Sequence, residues 1–428
     1  MPLVNDKRPM NFKKDEHKAK AWSKERYSAW KKTLPQKRIE AVEAFKRSSK
    51  EINRKLKEVR GNIDELTDEQ LKKQIKEMNN MIKLPVNQLK EKQIIYTHFD
   101  PIDLGYSNEL KMLVGDGDNR LDPEKIKTIL TEYKYGYLTD LKIGNLILSG
   151  GETGQHYVAE LELPKGTYLG HFGDGQMVLP TDYAIEISHN AFNKPKIIVE
   201  KGKEVIKVKA RLIKKEEIEH KVKETEAALT KLFNKDNDSF VVKLDIGGGF
   251  ESYAIDHAKE ASSTLIKQLP SKLLKDVIFD LNSIIFTDLK LNNNDGTLGY
   301  TDSIKGNVHV RVKHEILIQK LDPIVNQSAV LIHEMGHVVD QMLFNYTSKS
   351  TGFKEIYEEE KDNLTGLVTH NGYGRQDSEE FFAEIFKAMH STDPRQKEAV
   401  RREAPRAVAF IQNKIDDYEP ELLYSGSL

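Results

Sequence analysis

Two histidines and one glutamate stand in a short segment, His333-Glu334-Met335-Gly336-His337, at a spacing that suits a zinc ion. Residues four apart lie on the same face of an α-helix, so His333 and His337 could bind one metal together. Glu334 would project beside them, where its carboxylate could take a proton from a water on that metal. Apolar residues recur around the motif at helical spacing, which predicts a helix. The pattern favours a zinc hydrolase, and in particular a peptidase.

A motif of three fixed residues also arises by chance, and the alternative is a pair of inert, hydrogen-bonded core histidines. Catalytic zinc takes three protein ligands and keeps one position open, so a third ligand must come from elsewhere. Residues 376–386 predict a second helix with Asp377 or Ser378 as its N-cap. Glu380 and Glu384 share a face of that helix. They could supply one zinc ligand and one acceptor that orients a histidine ring.

Other roles for these residues stay open at this point. Glu380 could close a capping box with Asp377, and Glu384 could be an ordinary solvated helix charge. Tyr373 lies in a turn-rich segment before the helix, where its phenol could stabilise an oxyanion or could simply cap the helix end. Because the histidine pair still lacks an acid, the ligand role of Glu380 is favoured.

Several segments of the carboxy-terminal half carry a more specific signal than the five-residue motif, since they follow one another in a known order. They are Phe286-Thr287-Asp288, His333 to Asp340, Asn363-Leu364-Thr365, Tyr373-Gly374-Arg375, Glu380-Phe381-Phe382-Ala383-Glu384, Met389-His390-Ser391-Thr392-Asp393, Ala404-Pro405 and Phe410-Ile411. In these segments the chain resembles the catalytic domain of the anthrax lethal factor family. The resemblance implies that His333, His337 and Glu380 bind one zinc ion per chain and that Glu334 is the general base.

The same resemblance implies roles for two further residues. Tyr373 would assist the oxyanion or the leaving group, and Glu384 would orient a zinc ligand. It also implies a secreted toxin that acts in the cytosol of a host cell on a host protein or peptide. The resemblance likewise implies a pore-forming delivery component as a partner.

Segments of the first half are similar to the central domain of that family, which is related to ADP-ribosylating toxin components. They are Gly166-Thr167-Tyr168-Leu169, Gly175 to Leu179, Ile185-Glu186-Ile187 and Val208-Lys209-Ala210. Such transferases need an Arg on an early strand, a Ser-Thr-Ser run and a Glu-x-Glu turn. Here Thr97 takes the place of the Arg, Thr139-Asp140-Leu141 that of the Ser-Thr-Ser run, and Asp174-Gly175-Gln176 that of the acidic turn. We therefore expect a degenerate transferase-like domain that serves as a scaffold or docking surface.

The sequence departs from the family in two ways. The amino-terminal domain that docks on the carrier has no counterpart, and neither has the helical repeat inserted in the central domain. Delivery by that carrier and cleavage of the family's kinase substrates are therefore not expected to carry over.

Composition excludes several classes of protein. The chain has no cysteine, which rules out disulfides, thiolate zinc ligands and a cysteine nucleophile. No run approaches the ~18 apolar residues of a membrane span, so stable membrane insertion is not expected. Residues 1–6 lack the apolar core of a secretory signal, so no signal peptide is visible.

Charge is unevenly distributed although the net charge is −1. Residues 1–60 hold 19 Lys and Arg against 8 Asp and Glu, a local charge of +11. Solvated helix faces are favoured over nucleic-acid binding, because apolar residues recur between the charges at helical spacing. A third reading is a disordered leader through Lys14. The acidic run at 355–360 is expected to be solvated surface, or to attract basic peptides if it lines the cleft.

The hydrophobic pattern predicts an α+β protein of two domains. Helices are expected over 15–60 and 216–233, and strands at 157–163, 204–213, 240–246, 284–288 and 307–312. The last is expected to be a half-buried edge strand that could pair with extended substrate. With these limits, the resemblance implies a degenerate ADP-ribosyltransferase-like domain at 1–215, with a helical, basic start, and a zincin-type metalloprotease domain at 216–428. Two alternatives to the zinc endopeptidase remain, an active mono-ADP-ribosyltransferase and a non-catalytic zinc-containing binding module.

Overall fold

The computed structural model describes residues 8–99, 120–121, 134–148, 157–188, 195–200, 202–233, 239–249, 251–289, 297–302, 305–311 and 327–419. The chain divides into two compact units. The first comprises Met1–Lys221 with Gly247–Tyr253, and the second comprises Val222–Ile246 with Ala254–Leu428. The domain limits expected at 215 and 216 stay a prediction.

The first unit begins with three helices, α1 (Glu16–Lys32), α2 (Gln36–Glu58) and α3 (Glu69–Ile82). The expected helix over 15–60 is confirmed as two helices, since Pro35 lies between them in an extended conformation. Their apolar faces meet in a common core that includes Trp30, Phe45 and Ile75. The charges between these residues are therefore solvated helix faces, as the spacing predicted.

The amino-terminal leader is tied to the sheet at Met10. The Met10 N–H donates to the Lys92 carbonyl at 2.9 Å, and the Ile94 N–H donates to the Met10 carbonyl at 2.8 Å. The prediction of a disordered leader through Lys14 is therefore wrong from Met10 onward, because these backbone hydrogen bonds fix the segment. Residues 1–7 lie outside the described residues.

The described part of the first unit after α3 contains a nine-stranded sheet, in which β9 is the longest strand. The strands are β1 (Gln93–Phe99), β2 (Tyr135–Tyr137), β3 (Ile143–Asn145), β4 (Tyr157–Leu163), β5 (Gly170–His171), β6 (Gln176–Val178), β7 (Tyr183–Ile187), β8 (Lys196–Glu200) and β9 (Lys203–Lys214). Their order is β2-β7-β9-β4-β1-β3-β6-β5, and β8 pairs with β9. The strands expected at 157–163 and 204–213 are confirmed as β4 and β9.

The second unit combines a small sheet with helices. The elements are α4 (Lys215–Phe233), β10 (Val241–Asp245), α5 (Glu251–Gln268), α6 (Ser271–Asp280), β11 (Ser283–Thr287), β12 (Gly299–Asp302), β13 (Asn307–Arg311), α7 (Gln327–Val338), α8 (Thr351–Glu360), α9 (Ser378–Met389), α10 (Pro394–Glu403) and α11 (Pro405–Asp417). Both α4 and α5 begin in the first unit. Aromatic side chains of α8 and α9 form a buried cluster that includes Phe353, Phe381, Phe382 and Phe386. No helix among the described residues is both long enough and apolar enough to cross a membrane.

The four-stranded sheet has the order β10-β11-β13-β12. The expectation that 307–312 forms an edge strand is wrong, because β13 pairs in parallel with β11 on one side and antiparallel with β12 on the other. The alternating burial of Val308 and Val310 is as predicted, but alternation shows which face is buried and not how many neighbours a strand has. The edge strand beside the metal-motif helix is β12. Val312 lies outside the described residues.

The acidic run at 355–360 is only partly solvated. Glu355, Glu358 and Glu359 are exposed, whereas Glu360 is buried at the end of α8. Its carboxylate accepts hydrogen bonds from the backbone N–H groups of Arg406 and Ala407 in the first turn of α11, at 2.9 and 3.0 Å. An anion at a helix amino terminus satisfies otherwise unpaired N–H groups. For Glu360 the expectation of solvated surface is therefore wrong.

Candidate metal centre

The predicted metal-motif helix is α7. Most of its residues are buried, and the buried polar residues include His333 and Glu334. Leu331, Ile332, Met335 and Val338 are all buried and anchor α7 in the second unit. Gly336 lies where α7 crosses α9, and a Cβ there would stand 3.1 Å from the Ala383 Cα atom. The absence of a side chain thus allows the two helices to approach closely.

The second predicted helix is α9, and it begins as expected at an Asp377 N-cap. The Asp377 carboxylate accepts hydrogen bonds from the N–H groups of Glu379 and Glu380, at 2.9 and 2.8 Å. Glu380 is therefore in the first turn, where the capping box was an alternative. Its side chain instead approaches the imidazoles of α7. The close packing of α7 on α9 brings the carboxylate there.

Three candidate ligand atoms form a nearly equilateral triangle. The Nε2 atoms of His333 and His337 are 3.2 Å apart, and the Glu380 Oε2 atom lies 3.2 Å from the first and 3.3 Å from the second. Three ligand atoms held about 2.0–2.1 Å from one tetrahedral zinc ion stand about 3.3 Å from one another. Glu380 Oε2 is also buried without a hydrogen-bond partner. Both observations fit a metal ion of the size and donor preference of zinc.

The charges of the cluster are mutually stabilising. Burial alone would raise the pKa of Glu380, but the two imidazoles hold it well below its ordinary value. Burial alone would lower the pKa of His333, but Glu380 and Glu384 raise it to about 9. The carboxylates therefore compensate positive charge at the point where the three candidate ligand atoms converge.

Glu384 lies behind His333 and is not the solvated charge that was the alternative. Its Oε1 atom is 2.9 Å from His333 Nδ1, and only 3% of the residue is exposed. Burial would raise the pKa of Glu384, but Lys387 and His333 lower it to about 2. An ionised acceptor on Nδ1 fixes the ring orientation and leaves Nε2 to face the triangle.

Glu334 and Tyr373 differ in their exposure to solvent. Glu334 is buried, and burial raises the pKa of its carboxylate. Tyr373 is 41% exposed on a 3-10 helix, His370–Arg375, and its ring centroid lies 5.7 Å from that of His333. Burial and the nearby Glu380 carboxylate raise the pKa of the Tyr373 phenol, which therefore remains a proton donor. A buried carboxylate and an accessible phenol beside the same imidazole suit a base and an oxyanion donor.

The carboxy-terminal half of the chain matches one family model. Residues 250–414 match the family model described as anthrax toxin lethal factor, N- and C-terminal domain. Lethal factor of Bacillus anthracis is 26% identical over 342 residues, which are 73% of this chain and 41% of that protein. The segment that matches this model, residues 250–414, is called the lethal factor domain below.

A second relative matches a shorter part of the chain. The Pro-Pro endopeptidase of Clostridioides difficile (strain 630) is 34% identical over 82 residues, which are 19% of this chain and 35% of that protein. The chain thus spans about two fifths of the first relative and about a third of the second.

The amino-terminal half matches a different family. Residues 19–168 match the family model of ADP-ribosyltransferase exoenzymes. The ADP-ribosyltransferase toxin Plx2a from Paenibacillus larvae is 25% identical and covers 48% of this chain and 99% of its own, with a TM-score of 0.41. The two family matches together indicate an ADP-ribosyltransferase-like fold followed by a largely helical lethal factor domain.

The three altered transferase positions have internal partners. Thr97 is buried, and its hydroxyl donates to the Ile143 carbonyl at 2.9 Å. The buried Asp140 carboxylate lies 3.4 Å from the Lys142 ammonium and 3.6 Å from that of Lys57. Asp174 accepts a hydrogen bond from the Gln176 N–H. None of these contacts needs a bound nucleotide.

Two contacts of the lethal factor domain were not foreseen from the sequence. Lys387 is buried beside Glu384, and the spacing of three residues on a predicted helix was a signal for this pair. Thr301 on β12 reaches Glu334, and no local pattern indicates a contact across 33 residues of sequence.

Replacing Glu384 by Gln is expected to weaken zinc binding by about 10–100-fold, because the acceptor that orients the His333 ring loses its charge. Competition against a chromogenic chelator measures this affinity. Glu358→Gln is the matched control, since Glu358 pairs with Lys361 at the same spacing of three residues but on the surface. Equal zinc affinity of the Glu384 variant and the control would contradict the orienting role.

Proposed function

We propose that the lethal factor domain is a zinc endopeptidase. The triangle formed by His333 Nε2, His337 Nε2 and Glu380 Oε2 is the observation that carries the proposal. It offers three ligands, which leaves a tetrahedral ion one open position, as catalytic zinc sites do and structural ones do not. The names of the relatives add support, since one of them is an endopeptidase.

The chemistry divides between the metal and the protein. Zinc held in this triangle would supply Lewis acidity, which polarises a carbonyl group and acidifies water. Glu334 takes the proton from the attacking water and passes it to the departing amine, and its raised pKa suits both transfers. Tyr373 donates its phenolic proton in a hydrogen bond to the developing oxyanion. Glu384 holds the His333 ring in place.

The edge of the four-stranded sheet supports a proposal for the class of substrate. Among the described strands, β12 has β13 as its single neighbour, and it lies against α7 at the level of Glu334. An extended peptide could add to this free edge and pass the metal centre. We propose a protein or peptide of a host cell as the substrate, in keeping with the toxin relatives.

A single experiment tests the proposal. The full chain, loaded with one equivalent of zinc, is incubated with a peptide library, and the products are identified by mass spectrometry. Cleavage that a chelator abolishes and added zinc restores is the expected result. Zinc bound at one ion per chain without any cleavage would instead favour a non-catalytic binding module.

An active mono-ADP-ribosyltransferase is the second candidate, favoured by the family match of residues 19–168. Against it stand Thr97, Leu141 and Gln176, which replace groups that such transferases use. Labelled NAD incubated with the chain and a host-cell lysate decides between them. Transfer of label would establish the second activity, and we expect none.

Replacing Tyr373 by Phe is expected to lower kcat by about 100-fold, because one donor to the oxyanion is removed. KM and zinc content should change little, since Tyr373 is not one of the three candidate ligands. Tyr346→Phe is the matched control, because Tyr346 is also 41% exposed in the same unit. An equal kcat for both variants would exclude Tyr373 from the reaction.

A further inference from the structure

At Gly299 the edge strand β12 approaches the buried Glu334 side chain more closely than any side chain at that position would permit. A Cβ atom added to Gly299 would stand 2.7 Å from Glu334 Oε1 and 2.7 Å from Val330 Cγ1. Such a separation is below any ordinary contact between these atoms. Glycine at position 299 therefore leaves the space that the carboxylate occupies.

Two residues further along the same strand, Thr301 reaches the other oxygen of this carboxylate. Its Oγ1 atom lies 2.9 Å from Glu334 Oε2 and 3.2 Å from the Glu334 carbonyl oxygen. A hydroxyl group has one proton to donate, and the shorter distance favours the carboxylate. Gly299 and Thr301 lie on the same face of β12, since side chains alternate along a strand.

The two oxygens of the Glu334 carboxylate are thus each contacted by a residue of the same strand, β12. A glutamate side chain has three rotatable bonds, so its carboxylate orientation must be fixed by neighbours if it is to be defined. Here Oε1 lies against the Gly299 backbone and Oε2 accepts from Thr301. A misplacement of a reacting group by about 1 Å can cost on the order of 100-fold in rate.

We propose that Thr301 and Gly299 are positioning residues that fix the carboxylate of the general base Glu334. The strand whose free edge is available to an extended peptide is then also the strand that aims the base. This inference rests on the proposed peptidase function for its kinetic consequence, but the contact between Thr301 and Glu334 can be tested without any activity.

The kinetic test uses Thr301→Val, which removes the hydroxyl and keeps the shape. We expect kcat to fall about tenfold, with KM and zinc content within twofold of the wild type, because hydrogen bonds to a charged group are among the stronger ones. Thr301→Ser should restore most of kcat. A kcat for Thr301→Val within twofold of the wild type would overturn the positioning role. A kcat for Thr301→Ser no higher than that of Thr301→Val would also overturn it.

Gly299→Ala tests the other side of the carboxylate. The added methyl group must displace Glu334, so we expect kcat to fall at least tenfold while zinc stays bound. Gly352→Ala is the matched control, because a Cβ at Gly352 meets no atom within 4 Å. Equal kcat for these two variants would overturn the role of Gly299.

A metal-free measurement separates this inference from the proposed function. Thr301→Val, Glu334→Met and the double variant are unfolded with urea in the presence of a chelator. If the two side chains interact, the midpoint shift of the double variant is smaller than the sum of the single shifts. Additive shifts would overturn the contact. A wild-type chain that cleaves no peptide would overturn the peptidase proposal, whereas the urea cycle would still decide whether Thr301 holds Glu334.

Discussion

Replacing Glu334 by Gln should reduce peptide cleavage by a factor on the order of 10²–10⁴ and leave zinc in place. The factor is the usual contribution of a positioned general acid–base group. The amide of Gln can still accept the Thr301 hydrogen bond, but it cannot take a proton from water at neutral pH. The three candidate ligand atoms belong to other residues, so metal content should not change. Single-turnover cleavage rates and the zinc content of the same sample measure the two quantities.

Glu360→Gln is the control for this variant, because Glu360 is as buried as Glu334, at 5% against 4% exposed. Its carboxylate accepts hydrogen bonds from the first turn of α11, which is not part of the metal centre. We expect the control to lose stability and to keep its rate per folded molecule. If Glu334→Gln cleaved at the wild-type rate, another group would have to be the base.

Local geometry explains why part of the centre could be predicted from sequence. The spacing of His333 and His337 puts both rings on one helix face wherever the helix lies in the fold. The Asp377 N-cap likewise depends on the next three residues of the chain alone. The helices α1, α2 and α4 and the strands β4 and β9 could be placed for the same reason, since period and turn residues are local signals.

Contacts made across the chain could not be predicted in this way. Strand pairing brings β12 beside β13 and leaves β12 at the edge, but the four residues of β12 carry no alternation of polar and apolar side chains. The role of Thr301 depends on that pairing and on the packing of α7. The burial of Glu360 depends on where α11 begins. In each case the deciding neighbour lies tens of residues away, where sequence period gives no information.

Removing the Glu380 carboxylate should abolish stoichiometric zinc binding. Glu380→Ala leaves two imidazoles, and with one ligand lost we expect affinity to fall by more than the roughly 10–100-fold that loss of an outer hydrogen-bond partner costs. Cleavage should disappear at equimolar zinc, because an ion held by two ligands is neither retained nor oriented. Zinc titration against a competing chelator, followed by a cleavage assay at each zinc concentration, measures both losses on the same protein.

The adjacent residue supplies the control that makes this result decisive. Glu379 precedes Glu380 in the same helical turn, but its carboxylate pairs with Lys349 at 3.1 Å and lies toward solvent. Glu379→Ala removes the same charge from the start of α9, so any general effect of that charge on the helix or its capping appears in both variants. Only a ligand role predicts that zinc affinity falls for Glu380→Ala and not for Glu379→Ala. Equal affinities would mean that another acid completes the triangle, and the centre would have to be reassigned.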